Sequence, residues 1–261
     1  MDSATSDESI IAFDKWLETP PGAYVRAWEQ ACLDKMVADI FGFNAVQIGM
    51  PQIDALAANR MPHQWLADIR LRPRKSGGGR AVAVTLDSVE LPFASNSMDL
   101  VVLPHVLEFS AEPHQVLREV ERVLIPEGQV IVCGFNPISL WGLRQVRGRL
   151  TGSHYLPKAG EFISMPRIKD WLKLLNMGVS HTHLVCYAPA CRTERWLARY
   201  GFMDKAGPDY WPYFGAVYMV QAIKRVKGMR LIGPAWKQKP VKAPVAVPAA
   251  NKHKESLDGQ S

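Results

Sequence analysis

The sequence predicts an α/β fold, a doubly wound and mostly parallel seven-stranded sheet (Rossmann-like) with extra helices at the N-terminus. Two observations carry this. From about residue 44 to residue 223, short apolar runs alternate with segments whose apolar side chains recur three and four apart. That is the pattern of strands buried on both faces between amphipathic helices. The chain, 261 residues long and 48% hydrophobic, can also bury such a sheet in one domain.

The elements follow in order. Glu8 to Leu17 and Tyr24 to Phe41 have helical spacing, separated by Thr19-Pro20-Pro21-Gly22, which reads as a break. Asn44 to Gly49 is a buried strand, Pro51 to Asn59 a short helix, and Gln64 to Leu71 a second strand. Ser76-Gly77-Gly78-Gly79 is a loop tip, since a strand and not a helix follows it. Ala81 to Leu86, Asp99 to Leu103 and Gln129 to Cys133 are further strands. Before the last of these, Val116, Leu117, Val120, Val123 and Leu124 share a helix face, opened by Pro113 and closed by Pro126 and Gly128. Helices near Leu140 to Leu150, Pro166 to Leu175 and Arg192 to Tyr200, with strands near Val179 to Tyr187 and Ala216 to Ile223, complete the pattern. The expected organisation is a helical extension over residues 1–42 packed on a core at 43–226, then a basic, disordered tail at 227–261.

Charge and cysteine usage narrow the function classes. From Arg225 onward there are eight cations and two anions, so the net charge of +6 belongs to the tail and the body is neutral. A phosphate-tracking surface should be basic, which makes nucleic acid an improbable partner for the body. No stretch reaches the roughly 20 apolar residues of a membrane span, and no secretory signal opens the chain. Cys32, Cys133, Cys186 and Cys191 form no CxxC pair. Reduced thiols in a cytoplasmic protein are the simplest account, and no metal is expected.

In an open parallel sheet, ligands bind beyond the carboxyl ends of the strands. Gly49, Asp68, Asp87 and Pro104-His105 fall at or near those ends. Each has a plainer reading as a turn glycine, surface acid, turn cap or packed histidine.

The segment from Thr85 to Gly134 resembles the class I S-adenosylmethionine (SAM) dependent methyltransferases, more narrowly a proteobacterial branch of methyltransferase type 11. The matching residues are Asp87, Leu91-Pro92-Phe93, Met98-Asp99-Leu100-Val101-Val102, His105-Val106-Leu107-Glu108 and Leu124-Ile125-Pro126-Glu127-Gly128. The run Gly134-Phe135-Asn136-Pro137-Ile138-Ser139-Leu140-Trp141 extends it. The resemblance implies SAM as cofactor, with Asp87 and Ser88 at the adenine and Gly49 at the methionine and ribose end. It also implies Leu103, Pro104 and His105 along the cofactor's inner edge and Asp68 at the ribose hydroxyls. The implied reaction is methyl transfer to a small-molecule acceptor. His105 stands where a general base would be needed for an acceptor that holds its proton. Asn136, Trp141, Tyr155, Trp211 and Tyr213 are candidate acceptor contacts, and Arg144, Arg147 and Arg149 a possible anion site or a solvated face.

One loop departs from the family pattern. An acidic residue and alternating glycines usually surround the end of the first strand, but this chain reads Val46-Gln47-Ile48-Gly49-Met50-Pro51. Pro51 lacks a backbone donor. That leaves open a second reading, a methyltransferase-fold protein with weak cofactor binding that serves as an interaction or regulatory module. An oxidoreductase on the other doubly wound fold is disfavoured, since GxGxxG is absent.

Overall fold

The computed structural model describes residues 3–68, 81–86, 88–152, 155–156 and 161–225. All of them belong to one compact unit, Met1–Val226. Asp87, the Gly77–Gly79 loop tip and the basic tail at 227–261 lie outside the described residues.

Two helices, α1 (Ser3–Leu17) and α2 (Pro20–Val37), precede β1 (Asn44–Ile48), β2 (His63–Asp68), β3 (Val84–Thr85) and β4 (Met98–Pro104). Next come α3 (Val106–Phe109), α4 (Pro113–Val123) and β5 (Leu124–Phe135), then α5 (Leu140–Thr151) and α6 (Met165–Leu174). The chain continues through β6 (Met177–Val185), α7 (Glu194–Arg199), α8 (Phe202–Tyr210) and β7 (Val217–Lys224). The seven strands form one sheet in the order β3-β2-β1-β4-β5-β7-β6. Pairing is parallel from β3 through β5, whereas β7 runs antiparallel to both β5 and β6.

Alternation along β4 shows why its apolar run is unbroken. Val101 and Leu103 face Val116, Leu117 and Val120 of α4 and Ile168 and Leu172 of α6. Leu100 and Val102 face Leu33, Met36 and Val37 of α2. Both faces of the strand are thus dry, and every position can be hydrophobic. A third cluster sits over the carboxyl edge of the parallel strands, built from Phe13, Trp16, Val25, Met50, Phe135, Trp141 and Tyr155 among others. Among the described residues, no helix is long and apolar enough to cross a membrane.

Several local expectations change. The proline pair opens α2 instead of separating two distant helices. Thr19 is the N-cap, its hydroxyl accepting from the Gly22 amide, and prolines in a first turn forfeit no helical bond. The elbow is tight: a Cβ on Gly22 would lie 2.3 Å from the Trp16 carbonyl oxygen. Residues 51–59 form successive turns where a short helix was expected, because the Gln47 side chain ties their backbone from within. Pro126, Glu127 and Gly128 fall inside β5, where the register against β4 shifts between Met98 and Leu100. Strand β2 is described over His63–Asp68, and residues 69–71 of the expected strand lie outside the described residues. Helix α8 was not foreseen, since Pro208 lies inside it.

Candidate active site

The turn after β1 is built on two left-handed residues, Gly49 (φ 76°) and Met50 (φ 50°). Gly49 donates its amide to the Ala67 carbonyl at 2.7 Å. A Cβ there would stand 3.1 Å from Val106 Cγ2, so glycine answers both backbone and space. Gln47 holds the rest of the turn. Its amide nitrogen donates to the carbonyls of Gly49, Met50 and Ile53 at 3.0, 3.0 and 2.8 Å, and its oxygen accepts from the Ala55 amide at 2.8 Å.

Gly49, Asp68, Ser88, Pro104 and His105 line one cavity at the carboxyl edge, together with Ile10 and Phe13 of α1 and Met50. Five of the residues singled out from sequence therefore come together. Asp68, in β2, is 3% exposed and lines this cavity. Leu103 is fully buried in the core and does not line the cavity. The free volume is about 50 Å³, with Ile10, Phe13 and Met50 lining the space.

His105 is the largest correction. Its side chain is wholly buried, with Nε2 2.6 Å from Glu29 Oε1 and Nδ1 2.7 Å from Glu108 Oε2. Burial alone would lower its pKa, but the Glu29 and Glu108 carboxylates outweigh it and raise the group to about 10. The ring is an imidazolium at neutral pH, with both nitrogens engaged, so the geometry runs against the general base expected from sequence. Glu108 Oε1 also accepts the Phe135 amide, and the rings of Phe13 and Phe135 lie 5.3 and 4.5 Å from the imidazole. The cluster thus joins α2, the end of β4, α3 and the end of β5.

The expected acceptor contacts divide in two. Asn136 donates to the Tyr213 and Gly215 carbonyls, the Trp141 indole to Ala188 O and the Tyr155 hydroxyl to Cys191 O. All three are buried and hold the loops of the cap. Trp211 and Tyr213 are exposed. Arg144 donates to Ala190 O and lies 4.7 Å over the Tyr155 ring, so it braces that loop while its charge stays exposed. A larger groove of about 610 Å³ runs between α2 and strands β5 to β7, lined by Cys32, Lys35, Asp39, His181, His183 and Gln221 among others. It lies along the sheet face, away from the carboxyl edge. Among the described residues, no group of three His, Cys, Asp or Glu is arranged to hold a metal ion.

Comparison with known proteins decides the family. A methyltransferase domain model matches residues 58–132. The uncharacterized protein YafS of Escherichia coli K12 is 33% identical over 182 residues, 69% of this chain and 72% of that one. The chain belongs to the class I SAM-dependent methyltransferase family. Solved structures share the fold. A chain of the complex between the Haloferax volcanii Trm112 methyltransferase activator and a putative methyltransferase superposes with a TM-score of 0.55 at 15% identity. That match covers 84% of this chain and 98% of the other. A SAM-dependent methyltransferase from Thermotoga maritima gives 0.55 at 14% identity, covering 85% and 99%.

The cofactor of the family is SAM, and the residues present fit it in kind. The glycine whose Cβ would crowd the turn, the acid Asp68 of β2 and Ser88 all converge on one cavity. The volume is another matter. Sites for ligands of this size run to about 300–1,000 Å³, so the space between the described residues is small for the family's cofactor, with Ile10, Phe13 and Met50 on its lining.

Proposed function

We propose that the protein transfers a methyl group from SAM to a small, largely apolar acceptor. The observation that carries this reading is the convergence of Gly49, Asp68, Ser88 and Pro104 on a single cavity at the carboxyl edge. In this reading Asp68 accepts from the ribose hydroxyls, and Gly49 lets the backbone approach the methionine end. Ser88, with Asp87, faces the adenine. The bound cofactor supplies an electrophilic methyl on a sulfonium, whose positive charge disperses as the acceptor attacks. The protein's part is orientation and the exclusion of water.

His105 holds its proton, so the reading favours acceptors that ionise without help, such as an acidic phenol or enol. Ile10, Phe13, Ile48, Met50, Val106 and Phe109 leave an apolar lining, which favours an apolar acceptor. The neutral body argues for a small molecule over nucleic acid.

The small volume of the cavity favours a second reading, in which the fold is kept as an interaction or regulatory module that binds cofactor weakly. Calorimetric titration of the full chain with SAM and S-adenosylhomocysteine separates the two. Saturable binding that Asp68→Ala weakens by roughly tenfold or more supports the enzyme, a loss in the range of one hydrogen-bonded acid. No heat up to millimolar ligand supports the module.

A further inference from the structure

Helix α5 is amphipathic the wrong way round. Its buried face carries Trp141, Gly142, Gln145 and Gly148, and its outward face carries Leu140, Leu143 and Val146 with Arg144 and Arg147. The inner face is explained by local demands. Gln145 accepts the Tyr155 and Leu156 amides and donates to Leu156 O, at 3.1, 2.9 and 2.9 Å. A Cβ on Gly142 would lie 2.2 Å from Pro137 O. Nothing inside the protein requires leucine and valine outside, where they are 43%, 66% and 55% exposed.

Scattered exposed apolar residues are ordinary, but these are not scattered. Of the fourteen large apolar side chains exposed among the described residues, ten fall at Ile138 to Val146 and Trp196 to Phe214. The two segments meet at the start of α5, where Asn136 holds the Tyr213 and Gly215 carbonyls at 2.8 and 3.0 Å and sets Tyr213 and Phe214 beside the helix.

We propose that this face docks on an anionic lipid surface, with α5 lying in the interfacial plane. Three features choose that occupant. From Asn136 to Gly152 the sequence has three arginines and no acidic residue, a charge that complements lipid phosphate. The rim supplies Tyr210, Trp211 and Tyr213, aromatic side chains with a polar tip that settle at headgroup depth. A second copy is disfavoured, because a two-fold contact through α5 would set like charges face to face from a helix that carries no acidic residue. The surface is independent of methyl transfer, so its test stands whether or not the cavity takes cofactor.

The test is co-sedimentation of the full chain with vesicles of phosphatidylcholine mixed with phosphatidylglycerol, against pure phosphatidylcholine. The expected result is binding to the mixed vesicles that falls by roughly tenfold or more in Leu143→Glu/Val146→Glu, since two apolar anchors are lost. The melting temperature should be unchanged, both side chains being exposed. Failure of the wild type to sediment overturns the proposal. So does sedimentation that the double variant retains, which would place the contact on the lysine-rich C-terminal sequence. A wild-type dimer in sedimentation equilibrium that the double variant dissolves would assign the face to a second copy instead.

Discussion

The turns after β1 and after β4 both bend through left-handed backbone, and they are held in opposite ways. After β1, the bend starts at a glycine and is fixed by a neutral amide whose partners all lie within eight residues of Gln47. After β4, the bend is His105 itself, at φ 55°, and its ring reaches Glu29, 76 residues earlier in the chain. A non-glycine residue there carries strain of order 1 kcal/mol, offset by two charge-assisted bonds. The first turn is braced chiefly from within, with Gln30 of α2 and Asp14 of α1 bonding its outer residues Asp54 and Gln52. The other ties the N-terminal helices to the sheet, so damage to it should spread.

Four measurements press on that contrast. Replacing His105 by alanine leaves two carboxylates buried together without their cation. The expected loss is about 3–5 kcal/mol in denaturant unfolding, with reduced protection of α2 amides in hydrogen exchange; a loss under 1 kcal/mol would mean the cluster holds nothing. Gln47→Glu replaces the amide with a carboxylate, which cannot donate to the three carbonyls the amide now serves. It should cost about 3 kcal/mol, with α2 exchange less affected than in His105→Ala; neutral or improved stability would show that the turn reorganises freely.

The pH profile is next. The folded pKa of His105 is raised to about 10, above the unfolded value of about 6.5. Its contribution is therefore complete below about pH 6.5 and fades as pH rises through 10, by at most about 1.4 kcal/mol per pH unit. Thermal melts between pH 7 and 10 should show this slope in the wild type and not in His105→Ala; equal slopes would detach the effect from the histidine. Smallest is Gly49→Ala. The positive φ and the 3.1 Å approach to Val106 Cγ2 set a cost of about 1–2 kcal/mol, read as a shift in the urea midpoint.

The sheet was legible because strands buried on both faces must be apolar throughout, and the helix stripes over them keep their period. What escaped were contacts between distant segments. Glu29 lies on the buried stripe of α2 with Val25, Leu33 and Met36, and an acid on an apolar stripe is a visible oddity. Nothing in the pattern points to His105 as its partner. Residues 51–59 carry apolar spacing compatible with a helix, and only the inward amide of Gln47 shows why the backbone turns. Asp68 reads as internal to its strand because Ile69 and Leu71 continue the apolar run, and its pairing with Thr85 places it beside β3. The small volume of the cavity could not be read, since Ile10 and Phe13 reach it from a helix that precedes the family pattern.

The crowded elbow at Gly22 has a kinetic consequence. The bend between α1 and α2 is crowded at Gly22, so a shift of α1 that made room beside Ile10 and Phe13 would move the helix as a unit. Stopped-flow mixing should then show an association rate that levels off with ligand concentration. The plateau would report how often the helix lifts.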